Sequence, residues 1–530
     1  FIFLSFSSYQ MEPLITLEGW IIGFIVFNFF IFSSRLIANF FLNEKDSGKK
    51  VVIYGAGSAG IQLSMALRVS KEMEPIAFLD GNTSLHDTFL GGIKVLPPTE
   101  LDKLVKRGKV DEVLIAIPSL AKSKLKAILK DIERFSIKVR ILPGLAELAQ
   151  GKVLVSELKE VVIEDLLGRL EVEANQKLIN KNIKNKVVLV TGAGGSIGSE
   201  ISKQVARTDP KKLILYDTNE YALYSIRSYI EQTTPFVDLY CVLGNVTDKK
   251  RILEVLNAFE VETVYHAAAY KHVPLVEENP FEAVFNNIFG TKIAVESAIE
   301  AKVETFVLIS TDKAVRPTNI MGATKRFAEL ILQSLSNESK TKVTMVRFGN
   351  VIGSSGSAIP LFQKQIQEGG PVTVTHPDVV RYFMSIPEAA ELVIQAGAMG
   401  SGGDVFVLDM GEPVRIEELA RKLIHLSGKE LLDKANPDGD IQIKYTGLRP
   451  GEKLYEELLI GDNVSRTEHS RILKAREDFL SRKDIGMYLD AILEAEKTRD
   501  VTALKRIFKE TVAGFSPEEK NVDVVSLQRN

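Results

Sequence analysis

Val187-Val-Leu-Val-Thr-Gly-Ala-Gly-Gly-Ser-Ile-Gly198 joins an aliphatic run to a glycine-spaced turn, and Ser199–Ala206 follows as a helical stretch. A short, wholly apolar run of this kind reads as a buried parallel strand. In the turn behind it, Gly192 permits the tight bend, Gly195 lets the backbone approach a pyrophosphate, and Gly198 lets the helix pack close to the strand. Ser196 and Ile197 open the helix, whose positive end receives the phosphates. The next strand, Lys212–Tyr216, runs into Asp217, nineteen residues past Gly198. A carboxylate there accepts hydrogen bonds from the adenosine ribose hydroxyls and repels a 2′-phosphate, so NAD is expected rather than NADP.

The same pattern occurs earlier in the chain. Val51–Tyr54 is a strand, Gly55-Ala-Gly57-Ser-Ala-Gly60 a glycine turn, Ile61–Val69 a helix, and Pro75–Leu79 a strand that ends at Asp80. Asp111–Ile117 and Ser136–Leu142 extend this unit. Glycines at such a turn also serve helix–strand packing without any ligand, so the turn carries the fold and leaves binding open. The expected class is α/β, with two tandem Rossmann-like doubly wound parallel sheets and a C-terminal α/β substrate lobe. The boundaries fall at 1–48 (membrane segment and linker), 49–150 (first Rossmann-like domain), 151–185 (connecting segment with some helix) and 186–530 (catalytic domain).

With 530 residues the chain is too long for one core. A net charge of −3 gives no electrostatic case for nucleic acid. One cysteine, Cys241, and six scattered histidines offer neither a disulfide framework nor metal-ligand spacing, and they suit a reducing compartment. The chain opens without Met, and its apolar run Gly19–Phe32 extends through Arg35 to Leu42, close to the ~20 residues of a bilayer span. We therefore expect a last transmembrane helix, with further spans before it. Trp20 sits at one interface, and Arg35, Lys45, Lys49 and Lys50 lie on the cytoplasmic side of the inner membrane.

Three later segments carry chemistry. Thr263-Val-Tyr-His-Ala-Ala-Ala269 ends a strand in small residues, so a flat cofactor can lie against Ala267, Ala268 and Ala269. Val307–Ser310 runs directly into Thr311-Asp312-Lys313, and Met321-Gly-Ala-Thr-Lys325 opens a helix. Residues i and i+4 share a helix face, and dehydrogenases commonly place Tyr-x-x-x-Lys here. The tyrosine oxygen takes a substrate proton while the lysine holds the nicotinamide ribose. Here the first position is Met321, whose thioether has no titratable proton.

Together, TGAGGSIGSE (Thr191–Glu200), HAAAYKHVPLVE (His266–Glu277), STDKAVRPTNIMGATKR (Ser310–Arg326), RFGNVIGSSGSAIPLF (Arg347–Phe362), RYFMSIPEA (Arg381–Ala389) and LRPGEKLYEEL (Leu448–Leu458) form an ordered set. On these motifs the chain resembles the extended short-chain dehydrogenases. Within them it is similar to the membrane-anchored UDP-N-acetylglucosamine 4,6-dehydratases of the CapD-like polysaccharide biosynthesis family. Gly244-Asn245-Val246 departs from the Gly-Asp-Val usual near the adenine, and Asn245 keeps an acceptor oxygen.

The resemblance implies that NAD takes the hydride from C4, that the C5 proton and the C6 hydroxyl then leave as water, and that the hydride returns to C6. It implies Lys313 as the C5 base and Asp312 as the acid for the leaving water, with Lys325 on the nicotinamide ribose. Asn245 and Val246 lie along the adenosine, and Lys271 and His272 border the nicotinamide. Asn350, Arg381, Arg449 and Glu452 meet the substrate, the arginines being suited to its diphosphate. Met321 leaves three readings: an inactive protein, C4 deprotonation by Asp312 directly or through Thr311, or a water chain ending on Lys325. Family members with Met at this position imply retention at C5. The alternatives are a nucleotide-sugar 4-epimerase and a membrane-tethered sensor without turnover. A homo-oligomer is also expected, through helices Ile293–Ala301 and Lys325–Leu335.

Overall fold

The computed structural model describes residues 17–42, 48–70, 72–118, 120–143, 158–161, 174–336, 338–354, 356–457, 464–519 and 522–529. Most of the expected connecting segment lies outside these residues; the helix Gln176–Lys181 lies within them. The contacts divide the chain into two compact units, Phe1–Leu120 with Ile137–Glu160, and Ala121–Ser136 with Val161–Asn530. The helix Lys122–Glu133 thus groups with the second unit, although its sequence lies inside the first Rossmann-like stretch.

An N-terminal helix spans Leu17–Leu42, and the apolar side chains from Trp20 to Phe32 are exposed along it. Among the described residues no helix is long and apolar enough to cross a membrane. The transmembrane helix expected over Gly19–Leu42 is therefore not found among the described residues.

In the first unit seven strands form one sheet, in the order β3-β4-β2-β1-β5-β6-β7. They are β1 (Lys49–Tyr54), β2 (Met73–Leu79), β3 (Phe89–Leu90), β4 (Ile93–Leu96), β5 (Glu112–Ile115), β6 (Lys138–Ile141) and β7 (Lys159–Glu160). The central pairs β1–β2 and β1–β5 are parallel. Val51, Val52 and Ile53 are completely buried, which accounts for the unbroken aliphatic run in β1. The carboxylate of Asp80 accepts the backbone N–H of Ala56 at 2.8 Å and that of Asn82 at 2.8 Å, which ties the glycine turn to the end of β2.

The second unit holds a nine-stranded sheet in the order β10-β9-β8-β11-β12-β13-β18-β22-β21. Its parallel body is β8 (Val187–Thr191), β9 (Lys212–Asp217), β10 (Leu239–Leu243), β11 (Thr263–His266), β12 (Thr305–Ile309), β13 (Lys342–Arg347) and β18 (Asp404–Leu408). β22 (Ile472–Ala475) and β21 (Val464–Arg466) add antiparallel. Strand order reverses between β8 and β11, and the crevice at that switch point is where doubly wound sheets bind ligands. Small parallel or antiparallel pairs lie in the part of the chain expected to form the substrate lobe. They are β14 (Asn350–Val351) with β17 (Phe383–Met384), β15 (Val372–Val374) with β20 (Ile443–Tyr445), and β16 (Val380–Arg381) with β19 (Val414–Arg415).

The helix Ile320–Leu335 leaves no room for the part of the expected interface placed on Lys325–Leu335. All sixteen of its residues are buried within this chain. The C-terminal helices Arg482–Lys497 and Val501–Thr511 pack on it, with the Phe508 ring 6.2 Å from that of Phe327. Lys325–Leu335 therefore offers no free face to a second copy. The reason is a cover supplied by residues some 150 positions downstream, which local periodicity does not reveal.

Candidate functional site

Two turns assemble at the carboxyl ends of β8 and β9. Gly192 has φ +66°, and a Cβ placed on it would lie 2.6–2.8 Å from backbone atoms of Ala267 and Ala268. The turn after β8 and the small-residue run after β11 thus meet backbone to backbone, and any side chain would force them apart. Asp217 accepts Gly194 N–H at 2.9 Å through Oδ2 and Asn219 N–H at 2.9 Å through Oδ1. Each oxygen keeps a second lone pair for a ribose hydroxyl. Asp217 therefore braces the phosphate turn, a task its sequence position did not announce, and Asp80 does the same in the first unit. Asn245 likewise spends part of its acceptor capacity internally, its Oδ1 taking Thr247 N–H at 3.0 Å. Val246 is buried in the core.

This architecture fits NAD. The helix Ser196–Ala206 starts with Gly195, Ser196, Ile197 and Gly198 lining a cavity of about 880 Å³, and Ala267, Ala269 and Lys325 line the same cavity. The residues that would hold the dinucleotide are thus gathered, with a carboxylate at the adenosine end. Replacing Gly192 by Ala combines a left-handed φ with a backbone clash. We expect a loss of about 1–3 kcal/mol from the conformation alone and no cofactor retention, read by thermal melting with and without NAD.

The catalytic candidates converge on that cavity from three elements. Thr311, Lys313, Met321 and Lys325 line it directly, while Asp312 sits just behind at 1% exposure. Thr311 donates its hydroxyl to Asp312 Oδ1 at 2.9 Å, and Lys313 Nζ donates to the same oxygen at 3.1 Å and to Asn350 Oδ1 at 3.2 Å. Glu456 Oε1 lies 3.6 Å from Lys313 Nζ. The start of the Met321 helix reaches this turn because residue 322 is glycine; a Cβ there would lie 2.1 Å from the Lys313 carbonyl oxygen.

The protonation of Lys313 departs from the sequence expectation. Burial disfavours its charge, but the carboxylates of Asp312 and Glu456 more than offset this and hold its pKa above the ordinary value. The group expected as a neutral base therefore rests as an ammonium ion, in an ion pair with the intended acid. Lys325 differs because it lacks such partners: burial lowers its pKa to about 8, opposed only by Glu329 one turn away. Lys325 thus loses its charge as pH rises through about 8. An inflection near pH 8 is expected in the rate of C4 oxidation, and Lys325→Arg, which does not titrate, is expected to remove it; a persistent inflection would assign it elsewhere.

All six substrate candidates, Lys271, His272, Asn350, Arg381, Arg449 and Glu452, line the one cavity. Their state is not uniform. Arg381 is already engaged, donating to Glu452 at 2.9 Å and to the carbonyls of Val380 at 2.8 Å and Leu454 at 3.2 Å. Arg449 is exposed at the cavity mouth, with no guanidinium partner among the described residues. Burial and the neighbouring Lys271 keep the His272 pKa low, so His272 is neutral around pH 7. His266, which opens the second motif, is structural. It lies between the hydroxyls of Thr191 at 2.8 Å and Thr291 at 3.1 Å, and burial followed by Lys325 holds its pKa near 3.

Sequence reasoning missed several residues. Asn287, in a π-helical turn, binds the backbone of Tyr270 through both amide atoms, at 2.8 Å and 3.0 Å, and the Thr324 hydroxyl at 3.1 Å. It fixes the Lys271 segment to the Met321 helix; two adjacent asparagines in an otherwise apolar helix were the available signal. Glu329 accepts the Ser310 hydroxyl at 2.6 Å and the Arg347 guanidinium, so it anchors the end of β12 from behind. Glu456 was invisible, since its spacing to Lys313 exists only in three dimensions.

A family model described as polysaccharide biosynthesis protein matches residues 188–477, which hold every one of these groups. The capsular polysaccharide biosynthesis protein CapD of Staphylococcus aureus is 45% identical over 466 residues, covering 87% of this chain and 77% of that protein. The probable polysaccharide biosynthesis protein EpsC of Bacillus subtilis is 45% identical over 437 residues, 81% of this chain and 72% of its own. Among solved structures, Pen from Bacillus thuringiensis superposes with a TM-score of 0.50 at 33% identity, covering 57% of this chain and 89% of that one. The chain belongs to the CapD-like polysaccharide biosynthesis proteins, within the extended short-chain dehydrogenase family.

Proposed function

We propose that this protein is an NAD-dependent UDP-N-acetylglucosamine 4,6-dehydratase that retains configuration at C5. Its product, a UDP-4-keto-6-deoxy sugar, would serve bacterial polysaccharide or glycoprotein glycan synthesis. The observation that carries the reading is the Asp312–Lys313 ion pair, 3.1 Å apart, beside the cavity that Met321 and Lys325 line. Elimination of water needs one group for the C5 proton and another for the C6 hydroxyl, and this pair offers both. NAD bound at the glycine turn would take the C4 hydride and return it at C6.

The remaining residues bind and orient. Arg449, and Arg381 where it can exchange Glu452 for phosphate oxygens, suit a diphosphate. Asn350 holds Lys313 towards the sugar, and buried Met321 supplies an apolar wall in place of a tyrosine oxygen. The C4 proton then falls to Asp312, reached through the Thr311 hydroxyl along the 2.9 Å hydrogen bond between them. At the amino end, the exposed run Trp20–Phe32 supports association with the inner membrane, the catalytic unit lying on its cytoplasmic side.

A 4-epimerase is the other reading, and UDP-glucose 4-epimerase of Rickettsia massiliae is a relative, 32% identical over 294 residues, 54% of this chain and 81% of its own. Epimerisation gives the Asp312–Lys313 pair no work, which favours dehydration. Incubating the protein with UDP-N-acetylglucosamine and NAD separates the two by mass spectrometry. Loss of one water supports the dehydratase, an unchanged mass with a new 4-epimer supports the epimerase, and bound but unaltered ligand supports a sensor. Proton NMR of the product reads C5, and an L-arabino configuration would overturn retention.

A further inference from the structure

The turn that carries Arg449 has two anchorages, and the expected substrate competes with one of them. Glu452 closes the turn: its Oε2 accepts the Arg449 N–H at 3.2 Å, and its own N–H donates to the Arg449 carbonyl at 2.9 Å. Through Oε1 the same carboxylate takes the Arg381 guanidinium at 2.9 Å and the Thr375 hydroxyl at 3.2 Å. That anchorage lies on the cavity wall. A phosphate oxygen that engages Arg381 must displace Glu452, so on this side the turn is loosened by the very ligand that Arg449 is suited to hold.

The other anchorage stands apart from the cavity, whose lining includes none of Gly451, Thr318 and Asn319. The Gly451 carbonyl accepts the Thr318 hydroxyl at 2.9 Å and the Asn319 side-chain N–H at 3.0 Å. Gly451 has φ +74°, and a Cβ on it would lie 2.6 Å from that of Asn319, so only glycine lets the turn come this close. Asn319 is 4% exposed, and its Oδ1 caps the helix Ile320–Leu335 by accepting the Gly322 N–H at 2.8 Å. One carboxamide thus ties the Arg449 turn to the helix that carries Met321 and Lys325. Lys453 Nζ on the Val315 carbonyl, at 3.2 Å, and Glu457 on Arg316, at 3.1 Å, continue the same seam. Glu518 accepts the Gly451 N–H at 3.3 Å from the exposed C-terminal segment.

We propose that Asn319 and Thr318 are positioning residues for Arg449: they hold the Gly451 carbonyl, so the Arg449 turn stays seated on the catalytic helix while a nucleoside diphosphate draws Arg381 away from Glu452. This rests on the nucleotide-sugar reading, which supplies the diphosphate. Neither residue lies on the cavity wall, and their effect reaches the ligand only through Arg449. An arginine on a loose turn must be ordered by its ligand, at a cost in affinity, whereas a turn fixed beforehand spares that cost. Asn319 suits the task because the helix cap holds one end of its carboxamide and so aims the other at Gly451.

The test measures UDP binding by calorimetry to the full chain in the presence of NAD, for wild type, Thr318→Val, Asn319→Ser and the double variant. Serine keeps an oxygen for the helix cap and valine keeps the shape of threonine, so the change is confined to the two donors on Gly451. Each single variant is expected to weaken UDP about threefold and the double variant about tenfold, with melting temperature and NAD binding as in wild type. Residues that only support the fold would lower all three together, and that result overturns the proposal. The decisive reading is a cycle with Arg449→Ala. This change is expected to weaken UDP about tenfold in wild type, about threefold beside Asn319→Ser and less than about twofold in the double variant, because an arginine on a freed turn has little left to lose. Additive losses overturn the proposal, as does a double variant that binds UDP like wild type. Wild type that binds no UDP overturns the nucleotide-sugar reading instead, a different and separately visible result.

Discussion

Lys313→Arg is expected to abolish dehydration by about a thousandfold while C4 oxidation continues. Arginine keeps the positive charge beside Asp312 and Glu456, so the buried carboxylates remain paired and the fold is spared. It does not give up its proton at any accessible pH, so the proposed C5 base is lost. The expected signature is a split: reduced-cofactor absorbance appears on mixing with UDP-N-acetylglucosamine, but no product lighter by one water accumulates. A methionine at 313 would confuse the result, because it would strand Asp312 as an unpaired charge at 1% exposure. Dehydration within tenfold of wild type in Lys313→Arg would remove Lys313 from the base role and transfer it to another cavity residue.

The second large effect concerns stability. Arg347, at the end of β13, is 1% exposed and donates to Glu329 at 2.8 and 2.5 Å and to Glu477 at 2.5 and 2.8 Å. Arg326 joins the cluster through Glu329 at 3.0 Å and Glu477 at 3.1 Å. Removing one partner of a buried pair costs far more than the pair contributes, because the remaining charge has neither water nor counterion. Arg347→Met should therefore destabilise the catalytic unit by about 3–5 kcal/mol. In a unit of this size that corresponds to a fall in Tm on the order of 10 °C.

The effect has a pH signature. Burial alone would raise the Glu329 pKa, but the guanidiniums of Arg347 and Arg326 pull it down to about 2, from 4.5 for an ordinary glutamate. A depressed carboxylate stabilises the fold above its unfolded pKa and loses that contribution as pH falls through the folded one. The advantage of wild type over Arg347→Met should thus be complete above pH 4.5 and shrink towards pH 2. Equal melting temperatures for the two proteins at pH 7 would show that the cluster is not needed for stability. Because Glu329 also holds Ser310 and faces Lys325, a milder form of this lesion should disturb the active site before it unfolds the protein.

Much of the protein was legible in one dimension because its decisive contacts are local or repetitive. Strands β1 and β8 are aliphatic runs since both of their faces are covered, and the glycine turns follow them directly. Asp80 and Asp217 lie at the ends of the next strands, at a distance set by one βαβ unit. Of the residues named from motifs, most between Gly195 and Glu452 line one cavity, while Asp217, Asn245, Val246, Ala268 and Asp312 are not part of its lining. What misled was also local. The Lys325–Leu335 face reads as an interface until distant helices cover it.

The amino-acid sequence by itself determined the two largely parallel sheets, the two glycine turns and the expectation of NAD at the second of them, and it set Thr311-Asp312-Lys313 directly before the helix that opens with Met321 and Lys325. Periodicity, glycine spacing and residue chemistry act over a few positions, and so they survive in a linear string. Only the tertiary structure decided the charge states. Burial works against the charge of Lys313, but the adjacent Asp312 and then Glu456, folded to within 3.6 Å of it from 143 positions away, outweigh that, whereas burial takes Lys325 down to about 8 with only Glu329 opposing it. Proton affinity depends on burial and on charges within a few ångströms, and the sequence distance between such charges says nothing about their separation in space.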